Sequence, residues 1–241
     1  MWNGKNKALT FSYDDGVLQD ARLIKLFNKY GLKATFNLNS GRLGFIESIR
    51  SGGAQVDHSV VRAENIRELY SGHEIAAHTV THPMLPSLSE DGIVSEIKED
   101  CSKLTSLCGY DIVGMAYPGG GVNHDARVIQ TIRNRIPNIR YARTITSTYS
   151  FDLPGDLLEL DPTVYHMELD RMEELAQAFL KLEPEKPQLF YIWGHAYELD
   201  AAADDAFWLR IERIFSSLAG RDDIFYGTNR EVLLDMPGPK Q

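Results

Sequence analysis

The sequence predicts an α/β fold arranged as a (β/α) barrel, and three observations carry that prediction. Short β-branched or aromatic runs alternate with helically periodic stretches, the helical stretches close at breakers, and the polar residues of chemical interest fall at or just past the ends of the apolar runs. Strands are expected over residues 8–13, 34–38, 74–78, 112–117, 141–145 and 188–194. Helices are expected over 21–30 before Gly31, 93–107 before Gly109, 127–135 before Pro137, 172–182 before Pro184, and 205–219. This alternation implies parallel strands covered by helices, in a doubly wound sheet or a barrel. The barrel is preferred because its C-terminal mouth would gather Asp14, Asp15, His78, Pro118 and His195 from separate strands. Residues 42–62 are Gly- and Ser-rich and weakly periodic, which reads as an inserted loop beside that mouth. A single domain over 1–241 is expected, since α/β barrels of this length fold as one unit.

Composition excludes several classes of function. With 43% hydrophobic and 24% charged residues the chain can bury a sizeable core. A net charge of −9 without a Lys/Arg run removes the footprint of a nucleic-acid binder and favours a neutral or cationic substrate. Residues 1–7 are polar and lack an apolar h-region, so no signal peptide is expected, and no membrane span is found. As written, the chain is expected to be cytoplasmic, or extracellular if an export signal has been removed. Cys101 and Cys108 fall on one expected helix, roughly 10 Å apart along its axis, too far for a disulfide.

The chemistry concentrates in two short motifs. His78-Thr79-Val80-Thr81-His82 follows an apolar strand and, as one helical turn, could aim both imidazoles at a single cation; alone it is also compatible with unrelated histidines. Phe11-Ser12-Tyr13-Asp14-Asp15-Gly16 ends another strand in adjacent carboxylates, which could equally start a helix with Asp15 as N-cap. Together, Asp15, His78 and His82 supply mixed N/O ligands and leave an open position, as hydrolytic metal sites require. Asp14 then stands beside a positive charge that favours its carboxylate form, suited to accept a proton as general base. His195, after the strand 188–194, is the candidate acid for the leaving group.

These pieces resemble the polysaccharide deacetylase family, the NodB-homology carbohydrate esterases of family 4. Residues 10–16 resemble its first motif, His78 to His82 match its H-[ST]-x-x-H motif, Tyr117-Pro118-Gly119-Gly120 resemble its third, and residues 192–195 its last. The resemblance implies a distorted barrel of about seven strands, one divalent cation, and hydrolysis of an N- or O-acetyl group from a sugar, oligosaccharide or glycoconjugate. It implies Asp14 as base, Asp15, His78 and His82 as metal ligands, His195 as acid, and the backbone N–H near Gly119 in an oxyanion hole. Zinc is the first choice of cation, with Co, Ni, Fe or Mn compatible with the same donors. Tyr117, Pro118, Gly119 and Trp193 are expected to contact substrate, the two aromatics either offering faces to a pyranose ring or serving as core.

Two departures stand out. The family's Arg that pairs with the catalytic Asp aligns with Ala116, and the aromatic after the proline with Gly119. Arg143, at the end of the next strand, is a candidate replacement, against the alternative of a surface arginine. The family's acid-and-tryptophan motif that tunes the last His has no clear counterpart, Asp152 and Asp161 being candidates by position only. Hydrolysis of another non-peptide C–N amide, or a non-catalytic carbohydrate-binding homologue, are the alternatives these departures raise.

Overall fold

The computed structural model describes residues 1–234. Its main sheet contains β1 (Lys7–Asp14), β2 (Ala34–Leu38), β5 (Glu74–Ala77), β6 (Gly114–Ala116), β7 (Tyr141–Arg143), β8 (Val164–Tyr165), β9 (Gln188–Gly194) and β10 (Ile224–Tyr226). The order is β7-β6-β5-β2-β1-β9-β8, with β10 beside the start of β1 and all pairs parallel. The curled sheet closes into a distorted barrel through the segment between β7 and β8. There Thr144 N–H donates to Leu160 O at 3.0 Å, and Thr163 N–H to Tyr191 O at 2.8 Å. Helices α1 (Asp20–Tyr30), α3 (Glu90–Cys108), α4 (Ala126–Arg135), α5 (Leu169–Lys181) and α6 (Ala206–Leu218) provide the helical layer; α2 (Ile66–Leu69) and α7 (Asn229–Leu233) are short.

Alternation along the strands explains where polar groups go. All eight residues of β1 are buried, as expected for a parallel strand covered on both faces. Leu9, Phe11 and Tyr13 belong to the main core, whereas Thr10, Ser12 and Asp14 take the other face and bond Asn229, Arg143 and Asn37 in the barrel interior. Phe11, Phe27 and Phe215 pack together with centroids 4.8–5.2 Å apart. Each such ring contributes roughly 1.5–3 kcal/mol by burial. α3 docks through Ile93, Ile97, Cys101 and Leu104, one stripe of a helix capped by Ser89 and ended by the left-handed Gly109.

The expected strands and long helices are present, with β6 and β7 shorter than the apolar runs that marked them. Asp15 is not a helix cap: α1 starts at Asp20 with Gln19 at the cap position, because Asp15 and Gly16 are left-handed at φ 77° and 66° and turn the chain away first. The segment 42–62 is not loop throughout. It contains an antiparallel hairpin, β3 (Ser48–Ser51) and β4 (Ala54–Asp57), turned by Gly52-Gly53, both at positive φ. Cys101 and Cys108 are free thiols. Among the described residues no helix is long and apolar enough to cross a membrane.

Candidate metal centre and active site

Asp15, His78 and His82 converge at the C-terminal mouth of the barrel. Asp15 Oδ1 lies 3.7 Å from His78 Nε2 and 3.6 Å from His82 Nε2, and all three ligand atoms fall within 4.8 Å of one another. In a tetrahedral centre with Zn–N and Zn–O bonds of about 2.0–2.1 Å, neighbouring ligand atoms stand about 3.3 Å apart, so the donor set fits one small divalent cation. His78 Nδ1 is 2.9 Å from Ala116 O, which accepts its proton and leaves the Nε2 lone pair facing the triad. Burial, then the charge of His78, lowers His82 to about 4, so its imidazole is neutral near pH 7. Burial alone would raise Asp15, but the hydrogen bond from His58 and the charges of His195, His78 and His82 outweigh it and hold the carboxyl far below its usual range.

The two histidines do not occupy a helical turn. Residues 78–82 form a bend in which Thr79 and His82 are left-handed, φ 68° and 61°. Thr79 Oγ1 accepts from His82 N–H at 3.2 Å, and Asp100 of α3 accepts from the N–H of His78 at 2.9 Å and of Ser40 at 2.7 Å. A regular turn would lack these side-chain ties, which are what hold two L-residues at positive φ.

Asp14 is 2% exposed and fully engaged on its protein side. Asn37, its register partner on β2, donates to Oδ1 at 2.8 Å, and the Arg143 guanidinium bonds Oδ2. Arg143 is buried, not a surface residue: it also donates to Ser12 Oγ and Thr144 O and lies 4.4 Å over the Trp193 ring. Its register partner on β6 is Ala116. The guanidinium missing at Ala116 thus arrives from the adjacent strand at the same height. Burial opposes the charge of Asp14, yet Arg143, with His78 and His195, keeps its carboxyl below the usual value.

His195 Nε2 lies 3.9 Å from Asp14 Oδ2, while its Nδ1 is 3.1 Å from Glu198 Oε2. Glu198 also accepts from the His195 N–H at 3.2 Å, closing a capping box at the start of a 3₁₀ helix, Ala196–Ala201, and bonds His166 Nε2 at 2.8 Å and the Tyr165 hydroxyl. Burial works against the imidazolium, but Glu198 and then Asp15 and Asp14 push His195 up to about 9. Asp152 and Asp161 do not perform this task, being engaged with Lys186 and Gln188 and with Thr144.

The pocket over these groups has a volume of about 220 Å³ and is walled by Asp14, Asp15, His78, His82, His195 and Tyr197 with Tyr117, Gly119, Gly120, Ile145 and Trp193. Pro118 is buried and lies outside this wall. Neither aromatic offers much open face. Tyr117 stacks on His124 with its hydroxyl on Leu158 O, and Trp193 is packed between Arg143 and Tyr165. Asn37, His58, His166 and Glu198 were not among the residues singled out from sequence. Only Glu198 carried a local signal, a carboxylate three residues after a cap position.

Fold and site together define an α/β barrel with a His/His/Asp donor set fit for one cation beside a buried, arginine-paired aspartate. The chain belongs to the polysaccharide deacetylase family, whose sequence model matches residues 3–134. It is 30% identical over 148 residues to a probable peptidoglycan-N-acetylglucosamine deacetylase of Arthroderma benhamiae, and 36% identical over 103 residues to a chitin deacetylase of Pestalotiopsis sp.. Those alignments cover 61% and 42% of this chain but only 31% and 30% of the relatives. Among solved structures, a candidate polysaccharide deacetylase from Mycobacterium smegmatis matches over 95% of this chain and 89% of its own, at 17% identity and a TM-score of 0.66. A family 4 acetyl xylan esterase from Clostridium thermocellum, in complex with a cobalt ion, matches over 94% and 90% at 17% identity and a TM-score of 0.55. At these identities the structural matches speak for the distorted barrel alone.

Proposed function

We propose that this protein is a cation-dependent hydrolase that removes an acetyl group from an N- or O-acetylated sugar, oligosaccharide or glycoconjugate. The observation that carries the reading is the convergence of the Asp15, His78 and His82 donors on one side of Asp14, with His195 Nε2 3.9 Å from that carboxylate. A divalent cation held by the triad, zinc as first choice, would polarise the acyl oxygen and acidify water. Asp14, kept ionised by Arg143, accepts the proton of the attacking water. His195, with Nδ1 on Glu198, directs Nε2–H at the leaving nitrogen or oxygen and donates to it as the C–N or C–O bond breaks. Tyr117 and Gly119 line the space where the acyl group would rest.

A pocket of about 220 Å³ supports a short acyl group, and with the aromatic faces covered the sugar would lie mainly outside it. Arg143 and Glu198 supply the charge partners for Asp14 and His195, which removes the motive for the non-catalytic alternative. The test is acetate release from chitin-type and peptidoglycan-type oligomers by zinc-loaded protein. Release should stop with a chelator and fall by at least 10³-fold in Asp14→Asn, roughly the loss typical of a catalytic base. Turnover that persists in Asp14→Asn would defeat the reading, and blank acetate assays beside turnover of other amides would redirect it to another C–N substrate.

A further inference from the structure

The carboxylate of Asp15 has two oxygens with different neighbours. Oδ1 faces the Nε2 atoms of His78 and His82, whereas Oδ2 is 3.1 Å from His58 Nε2. His58 comes from the far end of the segment 42–62, a part of the chain that sequence marked only as an insertion. It is 6% exposed, its ring packs 4.6 Å from Tyr197, and its Nδ1 lies 2.8 Å from Glu47 Oε1. Glu47 is in turn bonded by Arg42, so the insertion holds its own histidine from behind.

The backbone fixes the same arrangement independently. His58 N–H donates to Glu47 O at 2.9 Å, and Val60 N–H to Phe45 O at 2.9 Å. Val17 and Val60 form an antiparallel bridge, with Leu18 N–H on Ser59 O and Val61 N–H on Gly16 O, each at 2.9 Å. The insertion therefore grips the chain on the residues directly after Asp15. A non-glycine residue at φ 77° needs such over-determination.

We propose that His58 is a positioning residue for the cation site: by occupying Oδ2 it holds Asp15 as a single-oxygen ligand presenting Oδ1, so the 42–62 insertion sets the affinity of the centre. The inference rests on the cation reading above. A carboxylate with one oxygen bound by a fixed donor keeps its orientation before the cation arrives and does not have to be ordered by it. Without His58, Oδ2 is released, and the ligand can rotate or bind through both oxygens. Glu47 acts one step further out, by orienting the imidazole.

The experiment titrates Co(II) into metal-free wild type, His58→Ala, His58→Gln and Glu47→Gln, reading the Kd by calorimetry and the ligand field by visible absorption. Circular dichroism of the metal-free proteins checks the fold. His58→Ala is expected to weaken Co(II) by roughly 10- to 100-fold and to alter the spectrum. His58→Gln, whose amide can donate to Oδ2, should recover most of both, and Glu47→Gln should show a smaller loss of affinity. A Kd within twofold of wild type and an unchanged spectrum in His58→Ala would overturn the proposal, as would equal losses in the Ala and Gln variants. If His58→Ala does not fold, wild-type affinity in Glu47→Gln overturns it. Absence of Co(II) binding by wild type defeats the cation reading itself, so the two failures are distinguishable.

Discussion

Arg143 shows how a single residue can be moved between strands while its charge stays in place. Asp14 and Arg143 are both buried, and truncating one partner of such a pair leaves an uncompensated charge at a cost of about 3–5 kcal/mol. Arg143→Ala should therefore lower chemical-denaturation stability by about that amount and kcat/KM by at least tenfold, since Asp14 would lose the group that orients it. Arg143→Lys should recover less than half of the stability, because an ammonium cannot reach Ser12, Thr144 and Asp14 together or cover Trp193. Wild-type values in Arg143→Lys would show that only charge matters. At His195 the prediction concerns pH. In the proposed reaction the imidazolium is the form that donates, and Glu198 helps to push His195 up to about 9. Removing that carboxylate lowers the pKa, so in Glu198→Gln the alkaline limb of kcat/KM should move to lower pH by one unit or more, roughly 1.4 kcal/mol per unit. An unmoved limb would exclude His195 as the titrating acid. Asp14, Asp15 and the two motif histidines were legible because the acidic pair and the H-x-x-x-H occur together, each after an apolar strand, although either motif alone is ordinary. Arg143 was legible by strand parity, which puts it on the interior face. His58 and Asn37 were not, since one imidazole or amide acquires its role only from what the fold sets beside it.

At the scale of elements, the bend after β5 carries the largest difference between expectation and structure. The four-residue spacing of His78 and His82 suggests a helical turn, but the chain makes a loop with two left-handed residues, pinned by Asp100 from α3. Gly41 supports it from the other side. Its N–H donates to Val80 O at 3.0 Å, and an added Cβ would stand 2.5 Å from that oxygen. Gly41→Ala should therefore displace the loop, costing about 1–3 kcal/mol in stability and weakening Co(II) binding at least tenfold. Unchanged Co(II) affinity would mean that the bend holds its shape without this contact. The hairpin β3–β4 had a readable cue in Gly52-Gly53, yet its flanking runs are too short and polar for strand periodicity to register. β8 and β10 were missed for a related reason: two- and three-residue strands exist through pairing with β9 and β1, not through local pattern.

For the whole molecule, the proposed cation site joins β1, the loop after β5 and, through Asp15, the insertion, so a bound ion should stabilise the fold and not only the pocket. A ligand that binds only the native state at 100 times its Kd adds about 2.7 kcal/mol. For a chain of this size that corresponds to a rise in Tm of roughly 5–10 °C, expected on adding Zn(II) and reversed by a chelator. Asp15→Asn should abolish the rise, and a Tm independent of metal would argue against a preformed centre. The sequence by itself determined the alternating α/β order, the carboxylate pair and the paired histidines, because strand burial and local spacing are written in neighbouring residues. Tertiary structure alone decided what grips Asp15, and it brought Arg143, a candidate from the sequence, onto Asp14. Those partners lie 43 and 129 residues away in the chain, and a docked hairpin and parallel strand pairing bring them within bonding distance. Separation along the sequence carries no trace of such contacts until the barrel closes.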